Sequence, residues 1–235
     1  MKVNLILEAK VFLTCKYLFL DPIAPNSGRK IVFHNITKIE EVDIVNKTIM
    51  VRVSADSKCS GEISLGSFRM NIYESGDFDI DSNSFWIYGE LYNDGYEYVQ
   101  GVIDVFDLWQ ANQRFDWFSQ PTYSSLKKNY NEACYKYSGL GTKFLDKEIY
   151  QLDVSSVVEE LDFFYLASME FFGDKGYFGH DLHSFTDCLI EVHRHNGYTC
   201  NTILFLGSDS LTDSNLKALL IDIKNVLLRF KFKLI

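Results

Sequence analysis

Residues 176–192 read Gly-Tyr-Phe-Gly-His-Asp-Leu-His-Ser-Phe-Thr-Asp-Cys-Leu-Ile-Glu-Val. Gly176 and Gly179 flank Tyr177 and Phe178, so two aromatic rings ride on a loop whose backbone can take conformations closed to residues with a Cβ. A helix is expected directly behind the loop. Asp181 suits its N-cap or first turn, and Leu182, Phe185, Leu189 and Val192 recur at three- and four-residue steps to form one buried stripe. His183 and Asp187 lie one turn apart on another face. The loop ring Tyr177, expected to point outward, completes a patch of ring, imidazole and carboxylate.

On either side of this stretch the elements alternate. Glu148 to Val154 reads as a short strand, and Ser156-Val-Val-Glu159 has the form of a capping box opening a helix to about Phe172, which Gly173-Asp-Lys-Gly176 ends. After the helix of 181–192 comes His193-Arg-His-Asn-Gly-Tyr, then the apolar strand Thr202-Ile-Leu-Phe-Leu-Gly207. Asp213 or Ser214 caps a last helix through Leu216, Leu219, Leu220, Ile223 and Leu227, and Phe230-Lys-Phe-Lys-Leu-Ile reads as a final strand. The order strand, helix, helix, strand, helix, strand implies an α/β unit with a small, three-stranded parallel sheet faced by helices.

Residues 1–144 have a different texture. Val3 to Leu20, Lys30 to Ile36, Thr48 to Ser54, Glu62 to Tyr73, Ser84 to Leu91 and Tyr96 to Leu108 are rich in Val, Ile, Phe and Tyr and are separated by turn-forming clusters such as Asp21-Pro-Ile-Ala-Pro-Asn-Ser-Gly-Arg. They predict a mostly antiparallel sheet or sandwich within an α+β domain. Asn93-Asp94-Gly95 is the clearest hairpin signal. Tyr123 to Tyr137 reads as a short helix, and Ser138-Gly-Leu-Gly-Thr marks the boundary between domains 1–144 and 145–235. The rings of Trp109, Phe115, Trp117 and Phe118 are assigned to core or interdomain packing.

The chain carries a net charge of −9, and the acidity is local. Residues 146–195 hold eleven Asp and Glu against three Lys and Arg, a balance of −8. That sign opposes direct nucleic-acid binding and suits a basic protein partner, although solvated helix faces are acidic for solubility alone. No window approaches the roughly 20 apolar residues of a membrane-spanning helix, and Glu8 and Lys10 interrupt any signal core at the start, so a cytoplasmic protein is expected. The five cysteines are scattered without a C-x-x-C pair and read as buried thiols.

Enzymatic motifs are missing. The sequence has no G-x-S-x-G, P-loop or zincin helix, and Gly139-Leu-Gly-Thr is too short for a phosphate cradle. His180 with His183, and His193 with His195, have chelating spacings but no evident carboxylate or cysteine to complete a set. Neither catalysis nor a metal or cofactor is expected.

The segment from about Ile149 onward resembles the barstar family of intracellular inhibitors of bacterial ribonucleases. The match is tightest over Tyr177-Phe-Gly-His-Asp-Leu-His-Ser-Phe-Thr-Asp-Cys-Leu, which is similar to that family's Tyr-Tyr-Gly-x-Asn-Leu-Asp-Ala-Leu-Trp-Asp-Cys-Leu. The resemblance implies an immunity protein that plugs the basic cleft of a cognate toxin, most naturally a ribonuclease. Tyr177 then matches the family's loop tyrosine, Gly179 the glycine behind it, and Asp187 the helix aspartate that stands in for a phosphate. Phe178, His180, Glu191 and, on the last helix, Asp222 complete the expected contact set. His183 stands where the family has a second aspartate and Thr186 where it has a tryptophan, which implies a toxin with a different cleft. Residues 1–144 fall outside the resemblance. The alternative reading places the toxin, or another protein partner, on that β-rich domain, with the barstar-like part as scaffold.

Overall fold

The computed structural model describes residues 1–20, 28–58, 61–93, 98–140, 145–197 and 201–235. They form two compact units, Met1–Phe115 and Asp116–Ile235.

In the first unit β1 (Lys2–Leu7), β2 (Lys10–Leu20), β3 (Arg29–Ile39), β4 (Thr48–Ser57), β5 (Gly61–Ser75) and β6 (Ser84–Asn93) close into an antiparallel barrel in the order β1-β2-β3-β6-β5-β4. Period-two alternation drives the closure, because every second side chain turns inward and the inward rows meet across the ladders. Val3 pairs with Val53, Leu5 with both Leu13 and Val51, and Ile31 with Ile87, all of them fully buried. Register shifts near Leu5, Thr14, Val53 and Ile72 supply the local bends that a small barrel needs. The expected strand Val3 to Leu20 is in fact a hairpin. Glu8 (φ 48°) and Ala9 (φ 65°) both occupy the left-handed region, the conformation of a two-residue hairpin turn, without the Asn or Gly that usually announces one.

The expected strand Tyr96 to Leu108 is overturned. Gln100–Gln110 is a helix, α1, which buries Val102, Ile103, Val105, Phe106 and Trp109, a helical spacing that its β-branched and aromatic composition disguises. The Gln100 side chain ties it to β2, donating to Leu18 O at 3.2 Å and accepting from Leu20 N–H at 3.1 Å. Of the Asn93-Asp94-Gly95 turn, residues 94 and 95 lie outside the described residues, as do residues 21–27 of the turn-rich break.

The second unit has the expected order. After α2 (Ser125–Ser138) come β7 (Ile149–Asp153), α3 (Glu160–Phe172), α4 (Leu182–Asn196), β8 (Thr202–Leu206), a single 3₁₀ turn at Ser208–Ser210, α5 (Ser214–Arg229) and β9 (Lys233–Leu234). β8 lies between β7 and β9 and is parallel to both. The helices bury apolar stripes: Phe163, Phe164, Ala167 and Phe171 on α3, Phe185, Cys188, Leu189 and Val192 on α4, and Leu216, Leu220, Ile223 and Leu227 on α5. The capping box falls three residues later than Ser156. Glu159 is the N-cap of α3, and Asp162 in the first turn accepts its backbone N–H at 3.1 Å.

The two units divide between Phe115 and Asp116, ahead of the expected boundary at 144/145. Side-chain chemistry accounts for the difference. Trp117 stacks on Tyr165 of α3 with ring centres 4.3 Å apart and planes at 5°, and Asn131 of α2 donates to Gly179 O at 3.2 Å. The segment before residue 145 thus contributes to the second unit's core.

Candidate functional site

The loop 173–181 and α4 form the site. Gly179 is required sterically, since its φ is +97° and a Cβ there would come within 2.5 Å of Phe185 N and 2.7 Å of its Cα. The close approach lets the loop turn directly into the helix. There the Asp181 carboxylate accepts from Ser184 N–H at 2.7 Å, and the Ser184 hydroxyl accepts from the N–H groups of His180 (2.9 Å) and Asp181 (3.2 Å).

This loop does not present its aromatics. Phe178 is fully buried among Phe171, Phe172 and Phe185, with ring centres 4.7–5.0 Å away, and its N–H donates to the Ser168 hydroxyl at 2.9 Å. Tyr177, expected outside, is only 6% exposed. Its ring rests on Tyr135 of α2 at 4.9 Å, its hydroxyl lies 3.0 Å from His180 Nδ1, and burial pushes its pKa upward. The correction has the same cause as the shifted boundary, because α2 covers the surface on which Tyr177 was placed. Gly179 is buried as well.

The outer face of α4 remains open. His183, Asp187 and Glu191 stand at i, i+4 and i+8, a line about 12 Å long on one side of the helix. His183 and Asp187 are exposed, and among the described residues no ion pair holds Asp187; half-buried Glu191 pairs with Arg194. His180 is exposed in the loop just before the helix, with Nε2 3.6 Å from Asp181 Oδ2. Thr186 is half-buried and donates its hydroxyl to Leu182 O at 2.7 Å, so that hydroxyl is engaged with its own helix. Asp222 is exposed on α5. The structure therefore gathers His183, Asp187 and Glu191 on one face of α4, leaves exposed His180 in the loop before the helix and Asp222 on a separate helix, and withdraws Tyr177, Phe178 and Gly179 into the support beneath.

Sequence reasoning missed the polar network that braces this support. Lys127 of α2, 1% exposed, extends its ammonium to Glu159 Oε1 at 2.6 Å and Asp162 Oδ1 at 2.9 Å. Trp117 Nε1–H donates to Asp162 Oδ1 at 2.7 Å, and Tyr123 N–H donates to Glu159 Oε2 at 2.6 Å. The backbone N–H groups of Val158 and Glu159 serve Asp162 Oδ2 at 2.9 and 3.1 Å. Burial works against the ammonium, but the hydrogen bonds and charges of Glu159 and Asp162 together outweigh it and raise the Lys127 pKa. A buried lysine leaves no periodic mark in a sequence. The one available signal was an acidic pair three residues apart at a helix start.

Among the described residues no three His, Cys, Asp or Glu side chains are grouped to hold a metal ion. His193 Nδ1 lies 2.9 Å from Gly197 O at the end of α4. Cys15, Cys134 and Cys188 are buried. No described helix is long and apolar enough to cross a membrane. No family model, no curated protein and no solved structure matches the chain.

Proposed function

We propose that this chain is an immunity protein of barstar-like design, whose α4 face blocks the active-site cleft of a cognate basic bacterial toxin, a ribonuclease by preference. The reading rests on one observation: Asp187, without an ion-pair partner among the described residues, stands in a line of exposed or half-exposed His183, Asp187 and Glu191 on a helix anchored by a buried aromatic cluster. A rigid element bearing a carboxylate ready for a cation suits a phosphate-binding cleft, and the acidic segment around it suits steering of a basic partner. The parallel sheet faced by helices fits the resemblance carried by residues 177–189. The buried position of Tyr177 changes its part in the scheme, from inserted plug to a ring that sets the start of α4.

The test is affinity capture from the source cell's lysate and secreted fraction, using the full chain and Asp187→Ala in parallel, with captured material assayed for ribonuclease. Inhibited ribonuclease held by the wild type and lost by the variant is expected. Capture that is indifferent to Asp187 would overturn the reading and move the contact elsewhere.

A further inference from the structure

The outer wall of the barrel carries a second constellation that the acidic helix does not use. Along β6, Trp86, Tyr88, Glu90 and Tyr92 alternate with buried Phe85, Ile87 and Gly89, so the four stand on the outer face, a ladder of about 20 Å at two residues per step. Neighbouring strands complete it: Lys30 lies opposite Tyr88, and Asn71 opposite Glu90. The register of β5 passes from Ile72 against Gly89 to Glu74 against Tyr88, which leaves Tyr73 on a bulge. Such an irregularity re-aims the side chain it bears.

The polar groups are held in place. Tyr73 and Tyr92 donate their hydroxyls to the same carboxylate oxygen, Glu90 Oε2, at 3.0 and 2.7 Å. Asn71 Nδ2 donates to the Tyr92 hydroxyl at 3.0 Å, and Thr48 donates to Asn71 Oδ1 at 2.5 Å. Among the described residues nothing occupies Glu90 Oε1. The rings are braced too. Trp86 lies so close over Gly76 that a Cβ there would come within 2.1 Å of the indole nitrogen, Lys30 Nζ stands 4.5 Å from the Trp86 ring, and Tyr88 presses equally on Gly28. Tyr73 and Tyr92 remain 46% and 43% exposed.

This face offers an oriented acceptor, amide and ammonium donors, and aromatic surface in one row. An anionic chain would meet Glu90 and a polycation would meet Lys30, whereas a neutral polyol gives and takes hydrogen bonds at both and lays its C–H faces on the rings. We propose that the outer face of β6 binds a neutral oligosaccharide, with sugar rings against Tyr73 and Tyr92 and a hydroxyl donating to Glu90 Oε1. The site lies in the first unit and stands apart from the inhibitor reading of α4.

The test is titration of the full chain with maltohexaose, cellohexaose and chitohexaose, and with a single-stranded thymidine 12-mer, by calorimetry and intrinsic fluorescence. At least one hexasaccharide binds, and Tyr73→Ala and Glu90→Gln each weaken it by about tenfold or more. Tyr92→Phe, which keeps the ring and loses one tether of Glu90, weakens it less, and Ile221→Ala on α5 has no effect. Circular dichroism verifies that each variant is folded. Failure of all three sugars to bind, binding unchanged in Tyr73→Ala and Glu90→Gln, or preference for the thymidine strand would each overturn the proposal.

Discussion

The Tyr177 hydroxyl lies 3.0 Å from His180 Nδ1, so the buried ring that precedes α4 is tied to an exposed side chain at the start of that helix. A residue that looks like a contact from its sequence acts here as a strut. Tyr177→Ala should therefore destabilise the protein by about 3 kcal/mol, as loss of a buried aromatic does. A denaturant midpoint unchanged from wild type would contradict the buried placement.

Asp187→Ala should leave stability within about 0.5 kcal/mol of wild type, because the carboxylate is exposed and carries no ion pair among the described residues. Under the proposed function the effect falls on binding. Association with the captured nuclease should slow in the variant and, for the wild type, fall steeply between low and physiological salt. Stopped-flow rates that ignore salt would place the acidic segment outside the interface.

Lys127→Met removes the basic side chain that, among the described residues, pairs with the Glu159 and Asp162 carboxylates. The expected cost is about 3–5 kcal/mol, because the partners stay buried with their charges uncompensated. Urea titration followed by tryptophan fluorescence checks this, with Trp117 as the local probe. A loss below about 1 kcal/mol would show that the Trp117 indole and the backbone donors hold the two acids without the cation.

Alkaline pH should weaken the second unit. Burial raises the pKa values of Tyr130, Tyr177 and the Cys134 thiol, and the carboxylate pair raises that of Lys127. In each case the folded state holds the proton more tightly than the unfolded chain. The stabilisation is therefore complete below the unfolded values, about 8.5 for Cys and 10 for Tyr and Lys, and is lost as pH climbs through the raised folded values. Urea midpoints should fall between pH 8 and pH 10.5; equal midpoints would refute the assignment.

Asp181→Ala should cost about 1 kcal/mol through loss of the cap on Ser184 N–H, with Asp181→Asn retaining most of it. Thermal melts of the two variants separate capping from charge.

Much of the second unit was legible because its signals are local. The stripe Phe185, Leu189 and Val192, the Asp181 cap and the glycine at 179 each declare themselves within a few residues. The barrel was legible as strands but not as a closed ring, since closure depends on β1 meeting β4 across some fifty residues. Glu8-Ala9 hid a hairpin because neither residue type signals positive φ, and α1 hid because Val, Ile, Phe and Trp suit a strand as well as a buried helix face. For the site, sequence placed Asp187 and His183 outside correctly. It misplaced Tyr177 because the ring that covers it, Tyr135, is forty-two positions away.

The ammonium of Lys127 has a consequence for where this protein can be cut. A polypeptide started at residue 145, the natural choice from sequence, would inherit Glu159 and Asp162 without the cation that neutralises them and without the Trp117 indole and Tyr123 amide that donate to them. Such a fragment would have to protonate two acids or bring water to them. The shortest chain that keeps the Lys127 counter-ion, the Trp117 indole and the Tyr123 amide together with the two acids begins near Asp116, so what looks like the tail of one domain is inseparable from the other.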